Sequence, residues 1–232
     1  MAQIFHRSTN MISRFTIFGA VVFIAVLGGA LYNIALSSWY TRQNYVEQQP
    51  VPFSHRHHVG ELGIDCRYCH TSVEKSSFAG LPPTQTCMTC HSQIWTNASM
   101  LEPVRASYRD NTSLVWVRVN ALPDFVYFDH SIHVNKGIGC TSCHGPVGDM
   151  ALTYRAGTLY MSWCLDCHRQ PEKNLRPKAE VFNAFYEQPS SGHPVTFEGV
   201  SYTNQLELGK KLSDEYKIQP LKTLQSCSTC HR

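Results

Sequence analysis

All 10 cysteines of this 232-residue chain fall in pentapeptides of the form C-x-x-C-H, and the form occurs five times. The thiol pairs are Cys66 and Cys69, Cys87 and Cys90, Cys140 and Cys143, Cys164 and Cys167, and Cys227 and Cys230. The histidines that follow them are His70, His91, His144, His168 and His231. Two thiols three positions apart reach one edge of a porphyrin, and the next residue presents an imidazole to its iron. The chemistry this order supports is covalent attachment of a c-type haem and one-electron exchange through it. Five such sites predict five c-type haems.

Other uses of paired cysteines fit less well. A thioredoxin-like site needs one pair in a strand–helix setting. Zinc needs four ligands converging on one point. A disulfide framework gives no reason for histidine after every second cysteine.

A second set of histidines stands ahead of the motifs. Phe53-Ser54-His55-Arg56-His57-His58-Val59 precedes Gly63-Ile64-Asp65-Cys66, and Phe128-Asp129-His130-Ser131-Ile132-His133-Val134 precedes Gly137-Ile138-Gly139-Cys140. Phenylalanine and both histidines of F-x-H-x-x-H keep their spacing in the two copies, and each copy leads into two C-x-x-C-H sites. Residues three apart share a face of a helical turn, so two imidazoles of one turn can serve two nearby irons. His55, His58, His130 and His133 are therefore the expected distal ligands. His57 competes with His58 but breaks the match to the second copy.

Four distal histidines leave the fifth iron without a partner. Met161, Met150 and His193 are the candidates. A thioether ligand raises haem potential relative to a second imidazole. Methionine in such segments also serves as packing, and His193 stands in Ser190-Ser191-Gly192-His193-Pro194, a loop composition.

The elements that must position these groups follow from composition. The expected fold is a multihaem cytochrome c with little regular secondary structure, short helices around five haems and one N-terminal transmembrane helix. Residues 15–39 carry no charged side chain, long enough for the roughly 20 apolar residues a bilayer span requires. A secretory h-region is shorter, about 7–15 residues, so a retained anchor is expected over a cleaved signal. Arg7 and Arg14 precede the stretch, which places the N-terminus in the cytoplasm by the positive-inside rule, and Trp39 and Tyr40 suit an interface.

The expected organisation is a tail at 1–14, a span at 15–40 and a linker at 41–52. A first haem unit with its connecting segment follows at 53–127, and a second unit at 128–170. Residues 171–232 form a C-terminal arm ending in the fifth haem site. Leu114 to Val119 reads as a short strand, and the proline-punctuated stretch after Pro171 as a long wrapping arm. A formal net charge of +3 with mixed signs is too small to imply nucleic-acid binding. Neither a Ser-His-Asp order, a G-x-G-x-x-G run nor a P-loop is present, so no catalytic residue is assigned.

Taken together, the anchor, the five sites and the paired histidines resemble the pentahaem cytochrome c subunit of alternative complex III, a quinol:electron acceptor oxidoreductase. Gly145-Pro146-Val147, Met161-Ser162-Trp163-Cys164-Leu165-Asp166-Cys167-His168-Arg169 and the terminal Cys227-Ser228-Thr229-Cys230-His231-Arg232 carry the likeness. The resemblance implies a non-catalytic relay subunit in the inner membrane, with its haem domain on the periplasmic side. Its implied partners are an iron–sulfur subunit, a polytopic quinol-oxidising subunit and a monohaem cytochrome. A soluble cytochrome c or cupredoxin would be the eventual acceptor, in respiration or photosynthesis. Two alternatives stand beside this reading. One is a stand-alone anchored quinol dehydrogenase, similar to the tetrahaem family that feeds periplasmic reductases. The other is a catalytic multihaem reductase with one open iron position.

Overall fold

In a computed structural model, which describes residues 4–231, the first long element is α1, Thr9–Leu36. It spans 28 residues, or about 42 Å at about 1.5 Å per residue, against a hydrocarbon core of roughly 30 Å. It buries none of its side chains and is long and apolar enough to cross a membrane. Its polar side chains bond to their own helix: Thr16 Oγ1 donates to the Ile12 carbonyl at 3.0 Å and Asn33 Nδ2 to the Gly29 carbonyl at 2.7 Å. In hydrocarbon, such bonds would lower the cost of burying those donors.

The helix starts ahead of the apolar stretch and takes in Arg14, because nothing between Thr9 and Phe15 breaks it. It stops before position 40. Ser37 turns extended (ψ 153°) and its side chain accepts from the Tyr40 amide, opening α2, Ser38–Thr41. The chain divides into an N-terminal unit ending at Tyr45 and a second unit beginning at Val46.

The second unit is built of short helices, most of them set by the C-x-x-C-H motifs. These are α3 (Cys66–Cys69), α4 (Thr84–His91), α5 (Glu102–Asp110), α6 (His130–Asn135), α7 (Cys140–His144), α8 (Met161–Arg169), α9 (Gln205–Glu215), α10 (Leu221–Leu224) and α11 (Cys227–Cys230). Helical spacing puts both thiols of each motif on one face. Side-chain caps start several of them. Asp65 accepts from the Arg67 amide at 2.8 Å, Asp129 from the Ser131 amide at 2.8 Å, and Asn204 from the Leu206 amide at 2.8 Å.

Two expectations are corrected. Leu114 to Val119 is not a strand. It has no ladder partner among the described residues; instead the Gln49 amide brackets Val117, donating to its carbonyl and accepting from its N–H, both at 2.9 Å. The segment after Pro171, expected as a long wrapping arm, has a folded core of its own. Strands β1 (Val195–Phe197) and β2 (Val200–Tyr202) pair antiparallel with Val195 opposite Tyr202, and α9 follows them. Leu175, Leu208, Leu212 and Tyr216 form its buried core, with Ile138 packed against it from the second histidine-pair region. An i, i+4 apolar stripe on α9, interrupted by polar residues, hid this core behind a polar composition.

Gly209 explains the close approach of α9, since any Cβ there would collide with the Glu172 carbonyl. Leu212 is fully buried. Leu212→Ala should lower stability by roughly 2–5 kcal/mol, read by denaturant unfolding of the purified chain, while the haem content at Cys66–Cys69 and Cys87–Cys90 is unchanged.

Candidate functional site

The duplicated segments fold alike. Phe53 stacks on His58 (centroids 4.4 Å apart, 22° between planes) and meets His55 edge-on (5.0 Å, 87°). Phe128 stacks on His133 (4.6 Å, 26°) and meets His130 edge-on (4.7 Å, 88°). The phenylalanine of F-x-H-x-x-H therefore buttresses both imidazoles of its turn. The backbone beneath differs: α6 carries the second pair, whereas the first pair lies on a wider turn in which the Leu62 amide reaches back to the His57 carbonyl at 3.1 Å.

Each pair then faces histidines of the C-x-x-C-H motifs. His58 stands opposite His91 with centroids 6.2 Å apart, His130 opposite His144 at 6.3 Å, and His133 opposite His168 at 6.2 Å. His55 lies within electrostatic reach of His70. A metal held by two imidazole nitrogens at about 2.0–2.1 Å each requires centroids roughly 6.3 Å apart. Those gaps match the width one shared iron requires.

Hydrogen bonding settles which nitrogen faces the gap. Nδ1 is bonded to a backbone carbonyl in His58 (Ser54, 2.8 Å), His70 (Gly80, 2.7 Å) and His91 (Ile94, 3.3 Å). The same holds for His130 (Ser77, 2.8 Å), His133 (Asp129, 2.7 Å), His168 (Leu224, 2.8 Å) and His231 (Phe125, 3.1 Å). A carbonyl only accepts, so each Nδ1 donates and Nε2 keeps its lone pair for a metal. His55 Nδ1 meets Thr153 Oγ1 at 3.0 Å, and the Asn120 side-chain amide faces His144 Nδ1 at 3.2 Å. As placed, it is Asn120 Nδ2 that donates to His144 Nδ1; a half-turn of the side-chain amide would let Asn120 accept as the carbonyls do.

Burial favours the neutral form of three of the imidazoles. It holds His55 and His144 down to about 4 and lowers His133, and neutral imidazole is the ligating form. The thiols are equally suited to an apolar cofactor. None of the ten is in a disulfide, burial raises Cys69, Cys87, Cys164 and Cys167, and it pushes Cys143 up to about 12. Cys90 and Cys227 are exposed.

The remaining candidates separate. His57 turns away from the gap to pair with Glu61 at 2.7 Å and stack on Trp95 at 5.9 Å. Met150 is 3% exposed, packed in the second unit. His193 sits beside the β1–β2 hairpin with Nδ1 3.7 Å from the Glu187 carboxylate, and no ring contact among the described residues joins it to a motif histidine. Met161 opens α8 and is 62% exposed; Cys164, on the same helix, lies within electrostatic reach of Cys230 of the fifth motif.

Sequence reading missed the supports: Thr153, Asn120 and the carbonyls of Gly80, Ser77, Leu224 and Phe125. Only Gly80 left a trace, because its positive φ of 85° requires glycine. Carbonyls belong to every residue and so carry no sequence signal.

Facing imidazoles and thiol pairs in helical register form an arrangement suited to holding covalently attached c-type haems. Residues 34–115 match the class III cytochrome c family. Over 99 residues the chain is 36% identical to the menaquinone reductase, multiheme cytochrome c subunit of Nitratidesulfovibrio vulgaris, an alignment covering 42% of this chain and 46% of that relative. The chain thus spans about half the length of the curated relative it matches.

If Nε2 orientation identifies ligands, His58→Ala should turn one haem's share of the absorption and electron paramagnetic resonance signal from low spin to high spin. His57→Ala should leave both spectra unchanged.

Proposed function

We propose that this chain is the electron-relay subunit of a membrane quinone oxidoreductase, carrying five covalently bound c-type haems. The imidazole pairs 6.2–6.3 Å apart carry the reading. Thioether bonds would form at all ten cysteines, with His70, His91, His144, His168 and His231 proximal. The distal ligands would be His55 to the His70 iron, His58 to His91, His130 to His144 and His133 to His168. Haem iron bound there supplies reversible one-electron exchange. The chain's residues hold the rings in fixed opposition, so little rearrangement accompanies a change of charge.

The motifs lie in a row whose order differs from the sequence. Tyr68 Oη of the first motif meets Thr89 Oγ1 of the second at 2.8 Å. The Cys66 and Cys140 side chains lie against each other, joining first to third. His130 and His133 on α6 join third to fourth, and the His168–Leu224 hydrogen bond joins fourth to the segment before the fifth. The route would run second, first, third, fourth, fifth.

Met161 is the proposed fifth distal ligand, because its helix carries the cysteine that neighbours Cys230. All irons would then be six-coordinate, which argues against a catalytic reductase. The residues before Val46, with α1 long enough to span a bilayer, would anchor the chain in the inner membrane, N-terminus cytoplasmic and haems periplasmic. By its resemblance the chain would draw electrons from a polytopic quinol-oxidising subunit beside an iron–sulfur subunit. They would pass on to a monohaem cytochrome and a soluble cytochrome c or cupredoxin. The menaquinone reductase named for the relative supports the quinone partnership but suggests the opposite direction of flow.

Purification from native membranes decides the matter. Five haem additions by mass, low-spin signals throughout and co-purifying iron–sulfur and polytopic subunits are expected. Fewer additions, or a high-spin haem that binds small ligands, would refute the relay. Met161→Ala should abolish the near-red methionine–iron absorption band and leave the four bis-histidine signals in place.

A further inference from the structure

The two copies of the histidine-pair unit differ just before their first haem motif, at Asp65 in one and Gly139 in the other. In the first copy Asp65 caps α3 and chelates Arg67, whose Nε and Nη2 donate to it at 2.9 and 2.8 Å. That pair is half-exposed and self-neutralising. In the second copy glycine makes room. Residues Leu175 and Arg176 run antiparallel beside Gly137 and Ile138, with the Arg176 amide bonded to the Gly137 carbonyl at 2.9 Å. The Arg176 side chain covers Gly139 so closely that any Cβ there would strike the guanidinium.

Arg176 is 5% exposed, and its contacts are neutral. Nη2 donates to Thr141 Oγ1 at 2.9 Å and to Ser142 Oγ at 3.4 Å, the two variable positions of the third C-x-x-C-H motif. Nη1 donates to the carbonyls of Asn183 at 3.3 Å and Glu180 at 3.5 Å. The guanidinium lies over the Tyr186 ring at 4.6 Å, and Nε has no hydrogen-bond partner among the described residues. The Glu180 carboxylate, the acidic group that acts on it, is turned to Asn183 Nδ2 at 2.7 Å. Burial lowers the pKa of Arg176, but arginine stays protonated in proteins. A buried cation without a contacting anion costs stability, and this one is built onto the helix that carries Cys140, Cys143 and His144.

We propose that Arg176 is a fixed positive charge that raises the reduction potential of the haem attached at Cys140 and Cys143. The inference rests on the relay reading above. An oxidised haem carries one more positive charge than a reduced one, so a nearby cation in a low-dielectric setting destabilises the oxidised form. At the first motif the corresponding cation, Arg67, is half-exposed and paired with Asp65. The duplicated units are thereby made electrically unequal.

The test is a haem-resolved redox titration of the full chain in its native membrane assembly, with the third-motif signal identified by its change in His130→Met. Arg176→Gln should move that signal to lower potential and leave the others in place; Arg176→Lys should keep it close to the wild type. Gly139→Ala, which expels the guanidinium without deleting it, should reproduce the fall and serves if Arg176→Gln fails to assemble. A third-motif potential unchanged in Arg176→Gln, or in Gly139→Ala where that variant stands in, overturns the inference. Equal shifts in Arg176→Gln and Arg176→Lys overturn it also, because packing rather than charge would be responsible. Mass analysis of the wild type tests the relay reading alone: no haem on Cys140 and Cys143 refutes that reading, whereas a haem there with unmoved potentials refutes only the role of Arg176.

Discussion

An imidazole can ligate an iron only if the right nitrogen points at it, and the whole second unit is organised around that constraint. A histidine ring on a short helix rotates freely unless its other nitrogen is held. Here backbone carbonyls hold seven of the nine ring nitrogens in question, and Thr153 and Asn120 hold the other two. Each carbonyl bond fixes tautomer and orientation together; the Thr153 and Asn120 contacts fix orientation. The carbonyls come from distant parts of the chain: Ser77 for His130, Leu224 for His168, Phe125 for His231. Loops that look structureless are thereby tied to the ligands, which is why a chain with little sheet and short helices holds a defined shape.

The same constraint explains the duplicated turn. One phenylalanine supports two rings at different angles, stacked on one and edge-on to the other, so two imidazoles diverge from a single turn toward two motifs. Each copy thus links two neighbouring C-x-x-C-H motifs. Contact between Cys66 and Cys140 then joins the two copies, and the C-terminal lobe adds the last site. The lobe's Leu175–Arg176 edge lies along Gly137 and Ile138, so the element that packs the core also brings a charge to the third motif.

Sequence alone determined the chemistry. C-x-x-C-H brings together two thiols one helical turn apart and an imidazole beside them, the local pattern of covalent haem attachment, and no tertiary contact is needed to read it. The repeated F-x-H-x-x-H is equally local, and its match between copies separated His58 from His57 before any geometry was known. Tertiary structure decided what depends on distant partners. It set which motif each distal histidine faces, the order of the row, and the folded core behind Leu208 and Leu212. It also gave the reason one copy has glycine where the other has aspartate. Those outcomes rest on backbone carbonyls and on steric room at Gly139, which any sequence offers at every position and only a particular chain path puts to use.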